Sequence, residues 1–209
     1  IASCLVGSEM CIRDSYYTSA EKAPKKYQLM IVFEDDSFLA FTVSMYGSIY
    51  AFKGEFDNPY YQGSIHKLCP LDERFDKAYF ISLIRNLKKD ISAKALLATE
   101  QRIPGLGNGV CQDILFNARI SPKRKISTLS EEDIDRLFNT VKSTLEEMTC
   151  QGGRDTEKDL YGALGNYRTI LSKNTYHAPC PICGERIQKE AYLGGSIYYC
   201  PHCQPSAVN

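Results

Sequence analysis

Four cysteines near the C-terminus have the spacing of a metal site. Cys180 and Cys183 form one Cys-x-x-Cys pair, Cys200 and Cys203 form a second, and sixteen residues separate the pairs. Two thiolates three positions apart can bind one ion from a tight turn, and two such turns complete a tetrahedral tetrathiolate site, which zinc favours. Because protein fills all four positions, the spacing predicts one structural zinc ion. Two disulfides, idle thiols or an iron–sulfur cluster are the alternatives.

A glycine-rich stretch, QRIPGLGNGVCQD at 101–113, is a second candidate site. Gly105, Gly107 and Gly109 precede a predicted helix, and the first N–H groups of a helix favour an anion such as phosphate. Asn108 would start that helix and add its side-chain amide. The stretch lacks the final spacing of a dinucleotide fingerprint and follows a predicted helix rather than a strand. A plain tight turn between packed helices remains the other interpretation.

Basic residues are concentrated after this turn, although the whole chain is neutral. Its 209 residues hold 25 Lys plus Arg and 25 Asp plus Glu, so the net charge predicts no partner. Residues 101–130, however, hold five basic side chains and one acidic side chain. Among them Lys123, Arg124 and Lys125 could each neutralise a phosphate, or could form a solvated turn.

Cysteine usage and hydropathy limit the compartment. The chain has nine cysteines, an odd number, and five of them are scattered. That pattern is not a secreted disulfide framework and fits metal-binding cysteines in a reducing compartment. No apolar run approaches the length of a transmembrane helix, so we expect a cytoplasmic protein with no membrane partner.

The first half of the chain is typical of β-structure. YQLMIVF and FLAFTV, within 27–56, are rich in β-branched and aromatic residues, and EDDS between them is turn-like. SIYAFKGEF would add a third strand, which predicts an antiparallel meander. The stretch DNPYYQGSIHKLCPL at 57–71 is predicted to be a loop.

Helical periodicity follows. DKAYFISLIRNLKK, from Asp76, places apolar residues on one side of a helix, and ISAKALLATEQ predicts a second, short helix. A third helix is expected over 109–118. The clearest helix begins after Ser130, which forms a capping box with Asp133, and QGG ends it. The predicted order is helix, glycine turn, helix, basic turn, helix.

These motifs together resemble one family. IPGLGNGVCQDILFNARISPKRKI is similar to the helix–two-turns–helix motif of the formamidopyrimidine-DNA glycosylase and endonuclease VIII family. GGRDTEKDLYG followed by the cysteine tail is similar to that family's C-terminal end, in the same order and spacing. The resemblance implies an α+β protein with a partial antiparallel β-sandwich, a helical helix–two-turns–helix domain and a C-terminal zinc-ribbon finger.

The resemblance also implies domain boundaries. The segments are a non-native lead-in at 1–15, the second half of the N-terminal β-sandwich domain at 16–71, the helical DNA-binding domain at 72–153, a linker at 154–179, the zinc finger at 180–204 and a tail at 205–209.

The implied function is base-excision repair: removal of oxidised bases and cleavage of the abasic strand, by a monomer acting on damaged double-stranded DNA near the bacterial nucleoid. By resemblance, Asn108 contacts a backbone phosphate beside the flipped nucleotide, Tyr46 in SMYG inserts into the base stack, and Lys158 lies in a lesion-binding loop. The full set of expected DNA-binding residues is Gly107, Asn108, Tyr46, Arg124, Lys125 and Lys158.

Catalytic residues cannot be assigned in the same way. The family nucleophile is the amine of an N-terminal proline that is followed by glutamate, whereas this chain begins Ile1-Ala2 and none of its nine prolines precedes a glutamate. We therefore expect a fragment that lacks the catalytic portion and is itself inactive. Two alternatives stay open, a zinc-dependent damaged-DNA-binding module without catalysis and a zinc-ribbon protein that contacts other proteins.

Overall fold

The computed structural model describes residues 12–19, 23–43 and 49–206. They form a small antiparallel sheet, a helical domain and a two-stranded C-terminal finger, which confirms the predicted α+β class. Within these ranges no helix is both long and apolar enough to cross a membrane.

The sheet has three strands, β1 (Ile12–Tyr17), β2 (Leu29–Val32) and β3 (Phe38–Val43), in the order β1-β3-β2. Both pairs are antiparallel; Tyr17 and Val32 each lie opposite Phe38. Along β3, Phe38 and Ala40 are buried, 3% and 2% exposed, so one face of the central strand carries the packing. The predicted hairpin around EDDS is confirmed as the β2–β3 pair.

The predicted third strand was wrong. Residues 49–56 form no strand, and β1 is the third strand of the sheet. It begins at Ile12, four residues before the expected boundary at residue 16. The aromatic residues of 49–56 pack on each other instead: the Phe52 and Phe56 rings stack at 4.6 Å, and Tyr50 lies 5.1 Å from Phe56. Aromatic content therefore reported a side-chain cluster rather than a strand.

The predicted loop at 57–71 contains a helix, α1 (Pro59–His66). Asn58 caps it, since its side-chain oxygen accepts from the N–H of Tyr61 at 3.2 Å, and proline suits the first helical position. The Tyr61 ring packs edge-on against Phe52 at 5.2 Å, which gives α1 a tertiary partner.

The helical domain consists of α2 (Lys77–Arg85), α3 (Ala93–Ala98), α4 (Asn108–Asn117) and α5 (Glu131–Cys150). All four predicted helices are confirmed within a few residues at their ends. Side-chain caps explain three of the starts: Asp76 accepts from Tyr79 N, Ser92 accepts from Ala95 N, and Ser130 forms the predicted capping box with Asp133.

The main core lies where α3, α4 and α5 meet. It contains fully buried side chains from each of these helices, among them Leu96, Ile114, Leu115, Leu137 and Val141. This core holds α4 rigidly, so the first turn of α4 is presented on a fixed support.

The finger contains a hairpin of β4 (Gln188–Tyr192) and β5 (Gly195–Tyr199). It shares a second apolar cluster with α4, in which Phe116 and Leu171 pack beside Ile187, Tyr198 and Cys200. The finger is therefore seated on the same helix that carries the glycine-rich turn.

Candidate nucleic-acid interface and metal centre

The four predicted metal ligands converge at the base of the finger. The Sγ atoms of Cys180, Cys183, Cys200 and Cys203 all lie within 4.8 Å of one another. The Sγ atoms of Cys180 and Cys203 are 3.8 Å apart, and those of Cys183 and Cys200 are 3.5 Å apart. Four thiolates at these separations surround a volume suited to one soft, tetrahedral ion, so the donor set fits the structural metal that the spacing predicts.

The glycine-rich turn forms an N-terminal helix pocket, here named the amide turn (residues 105–109). Gly105 has φ +79°, a conformation that L side chains rarely adopt. Gly107 is the N-cap of α4 and offers no side-chain cap. The first helical hydrogen bond runs from Cys111 N to Gly107 O at 3.1 Å, so the N–H groups of residues 108–110 precede the helical ladder.

Asn108 joins the amide turn to the finger. Its Nδ2 donates to the carbonyl oxygen of Ser196 in β5 at 3.1 Å, while its Oδ1 is buried and accepts no hydrogen bond from the described residues. A Cβ added to Gly195 would lie 3.4 Å from the Asn108 amide, so the hairpin turn passes within contact distance of this side chain. The amide turn and the finger hairpin thus share one side of the molecule.

One helical turn later, Gln112 strengthens the same junction. Its Nε2 donates to Ser196 O at 3.1 Å and to Asn108 O at 3.0 Å, and its Oε1 accepts from Tyr198 N at 3.1 Å. Gln112 is only 2% exposed, so these bonds are shielded from water. They fix the register of β5 against α4.

Lys94 binds the turn of the finger hairpin from α3. Its Nζ donates to the carbonyl oxygen of Tyr192 at 2.5 Å and lies 5.9 Å from the centre of the Tyr192 ring. Burial lowers the pKa of Lys94. A cation placed here helps to fix the end of β4 at the hairpin turn.

In the basic turn (residues 121–125), Arg124 does not have the environment expected of a phosphate-binding side chain. This residue is 4% exposed, and its Nη2 donates to Asp133 Oδ2 at 2.6 Å and to Thr128 O at 2.9 Å. The predicted phosphate contact of Arg124 does not fit this geometry, because a buried, paired guanidinium serves the start of α5 instead. Burial raises the pKa of Asp133, but the Ser130 N–H and the two nearby arginines outweigh it and lower that pKa.

The other two basic side chains of this turn reach the surface. Lys125 is exposed, and its Nζ donates to Asp90 O at 3.2 Å. Lys123 pairs with Glu190 of the finger, and Glu190 also accepts from the Tyr199 hydroxyl. The bond from Lys123 and then the bond from Tyr199 lower the pKa of Glu190.

Two further predicted DNA contacts stand differently. Lys158 is exposed and forms an isolated β-bridge with Leu164. Tyr46 lies outside the described residues, as do its neighbours at 44–48. The structure therefore leaves both assignments as predictions.

A buried carboxylate anchors the chain that follows α5. Asp113 of α4 is 0% exposed and accepts from Ile170 N at 3.0 Å and from Leu171 N at 2.8 Å. Burial raises the pKa of Asp113 to about 6, against the opposing effect of these two bonds and of Arg154.

Sequence reasoning missed Lys94, Gln112, Asp113 and Glu190. Gln112 and Asp113 sit four and five residues after Asn108 on α4, so a polar pair inside an otherwise apolar helix was the available signal. Lys94 and Glu190 carried no local signal, since their partners are distant in the chain.

Comparison with known proteins agrees with this geometry. A family model described as the formamidopyrimidine-DNA glycosylase H2TH domain matches residues 68–159. A formamidopyrimidine-DNA glycosylase of Listeria innocua serovar 6a is 32% identical over 193 residues, covering 88% of this chain and 68% of the relative. The corresponding protein of Listeria monocytogenes serotype 4b is 29% identical over 215 residues, covering 98% and 76%.

A solved structure has the same fold. The Fpg protein of Lactococcus lactis, in complex with DNA that contains an abasic site, superposes with a TM-score of 0.73 at 23% identity and covers 94% of this chain and 73% of its own. At that identity the likeness shows the fold alone. Together with the family model and the Listeria relatives, it places the amide turn and the finger in a known framework. The chain belongs to the formamidopyrimidine-DNA glycosylase family.

Proposed function

We propose that this chain recognises damaged double-stranded DNA in base-excision repair, as a monomer in the bacterial cytoplasm associated with the nucleoid. One observation carries the proposal: Asn108 Nδ2 donates to Ser196 O at 3.1 Å, so the amide turn and the finger hairpin are in direct contact. The helix N–H groups at this junction suit a phosphate of the DNA backbone.

The proposed phosphate site consists of the backbone N–H groups of residues 108–110. Gly107, which has no side chain, would let the phosphate come close to these groups, and the Asn108 side-chain amide would donate to it. Exposed Lys125 and Lys158 are proposed as further phosphate contacts, and Tyr46 as the residue that enters the base stack. Arg124 is left out because its guanidinium is bound to Asp133.

The proposed metal is zinc, held by Cys180, Cys183, Cys200 and Cys203. Zinc would supply structural stability to a finger that buries few apolar side chains, and it would take no part in the chemistry. The finger surface that faces α4 is already used within the chain, by Gln112 and Lys94 among others. This arrangement disfavours a finger whose main role is to bind other proteins.

Catalysis is proposed separately from recognition. The family relatives are DNA glycosylases by name, and we propose base removal with strand cleavage as the activity of the family to which this chain belongs. The alternative is damaged-DNA binding without turnover, and the trapping experiment below distinguishes it from catalysis by an amine nucleophile.

Two measurements on an abasic-site duplex test these statements. Affinity should fall steeply as the salt concentration rises. A plot of the logarithm of the binding constant against the logarithm of salt concentration should have a slope of about −0.9 for each phosphate contacted. Asn108→Ala should weaken binding about tenfold or more, whereas Asn117→Ala should not, because Asn117 lies at the other end of α4 and donates to Thr144 Oγ1 at 3.3 Å. Equal affinity for intact and abasic duplexes, or an unchanged Asn108→Ala variant, would refute recognition.

Borohydride trapping tests the catalytic statement. A Schiff base between an amine and the abasic sugar is reduced to a permanent adduct. An adduct would show that an amine of this chain serves as nucleophile, and its absence would favour binding without turnover.

A further inference from the structure

The segment that follows α5 forms a loop whose two ends are hydrogen-bonded to each other, and one of these ends packs against the amide turn. Tyr167 N donates to Gly153 O at 3.0 Å, and Asp155 N donates to Tyr167 O at 2.9 Å. These bonds define the neck of a loop over residues 154–167. Gly165 is needed at the neck, because an added Cβ would lie 2.6 Å from the backbone nitrogen of Arg154.

Arg154, at that neck, occupies the space beside the first turn of α4. A Cβ added to Gly109 would lie 2.7 Å from both Cζ and Nη2 of Arg154, and closer still to its Nη1. Arg154 is 7% exposed, and its Nη2 donates to Thr156 Oγ1 at 2.8 Å. The guanidinium therefore fills the volume that a side chain at position 109 would take.

The charge of Arg154 is balanced by two carboxylates. Its Nη1 lies 3.5 Å from Glu157 Oε1, and its charge interacts with buried Asp113 one turn further along α4. The guanidinium cannot swing out to bind DNA without giving up these partners. It is placed to hold rather than to touch a ligand.

The far end of the same loop contacts the sheet. Tyr16 N in β1 donates to Leu160 O at 2.9 Å, and the Tyr16 and Tyr161 rings meet edge-on at 5.7 Å. Lys158 lies on the exposed arm between the neck and the tip. One loop thus spans from the amide turn to the sheet and carries a candidate phosphate contact on its way.

We infer that Arg154 is a positioning residue. It packs the 154–167 loop against Gly109 and so holds the amide turn in the conformation that binds its ligand. This inference deepens the proposed function and rests on it. The Arg154 guanidinium occupies the space that a side chain at position 109 would need. The effects of substitutions at positions 109 and 154 should therefore depend on each other.

The test is a set of double-mutant cycles with abasic-duplex affinity as the readout. Arg154→Ala should lower affinity on the order of tenfold. Gly109→Ala should lower it similarly in the wild-type background, because the new methyl group displaces the guanidinium. In the Arg154→Ala background the same Gly109→Ala change should cost less than about twofold. Arg74→Ala is the charge-matched control, since that side chain is 75% exposed and pairs with Asp72.

A second cycle separates positioning from plain stability. If Arg154 acts through the amide turn, Asn108→Ala should cost much less affinity once Arg154 is absent. A purely structural role would instead lower the thermal midpoint and leave the Asn108→Ala effect on the folded protein additive. Arg154→Lys, which keeps the charge and most of the length, provides a variant if Arg154→Ala fails to fold, and it should recover part of the affinity.

The outcomes are distinguishable. Wild-type protein that does not prefer the abasic duplex overturns the proposed function and this inference together. Wild-type preference for the abasic duplex with additive effects in both cycles, or with an Arg154→Ala variant of unchanged affinity, overturns the inference alone.

Discussion

Asp113 should make the stability of this protein depend on pH in an identifiable window. The carboxylate is completely buried, and its pKa is raised from 3.8 to about 6, mainly by burial. An acid whose pKa is raised in the folded state binds more protons there than in the unfolded chain. The free energy of unfolding should therefore fall as the pH rises from about 4 to about 6, and this contribution should level off above.

The size of the effect follows from the shift. The two pKa values differ by about two units, and each unit corresponds to about 1.4 kcal/mol, so ionisation of Asp113 should cost about 3 kcal/mol of stability. The group is deeply buried, so solvent screening should reduce this figure little. Other groups also titrate between pH 4 and 7, and metal held by thiolates is released at low pH.

Asp113→Asn isolates the contribution, because it removes one titration and leaves the rest in place. Urea unfolding should be followed by tyrosine fluorescence, since the chain has 14 tyrosines and no tryptophan. The difference in unfolding free energy between wild type and Asp113→Asn should change by about 2–3 kcal/mol between pH 4 and pH 7, in favour of the variant at the higher pH.

The absolute stability of the variant is not the readout. An amide can accept from Ile170 N or from Leu171 N, but not from both with equal geometry, so Asp113→Asn loses a hydrogen bond at every pH. Only the pH dependence of the difference reports ionisation. Curves for the two proteins that stay parallel from pH 4 to 7, at low and at high salt, would refute a buried, raised-pKa carboxylate.

Three other changes test the junction, the metal and the helix start. Gln112→Met keeps the side-chain length but leaves the buried Tyr198 N–H without its acceptor, so it should cost about 2–3 kcal/mol of stability in urea unfolding. Asn117→Ala is the control. An equal loss from both variants would refute a special role for the junction between α4 and β5. Zinc removal by a chelator should weaken abasic-duplex binding, and Cys183→Ser should reproduce the effect; unchanged affinity in metal-free protein, verified by metal analysis, would contradict a structural role for the ion. Ser130→Ala should cost about 1 kcal/mol through loss of the capping box, measured by thermal unfolding, and no change would mean that Arg124 and Arg136 alone hold Asp133.

Local sequence signals were reliable where the physics is local. Ser130 and Asp133 lie three residues apart and cap a helix by themselves, so α5 could be predicted to its first residue. Asn58 and Pro59 carried an equally local start signal for α1, which outweighed the loop-like composition of 57–71. The strand predicted within 49–56 failed because aromatic residues suit a cluster as well as a sheet, and β1 was missed because Arg13 and Asp14 interrupt its apolar pattern.

The candidate site divides in the same way. The sequence by itself determined the cluster of four cysteines and the amide turn, because the Cys-x-x-Cys spacing and a helix N-terminus depend on residues only a few positions apart. Only the tertiary structure decided that Lys94 binds a carbonyl 98 positions away, that Gln112 binds one 84 positions away, and that Arg124 is buried against Asp133 rather than offered to a phosphate. The reason is physical: a long polar side chain binds whichever partner packing brings within about 3 Å, and chain order does not encode that distance.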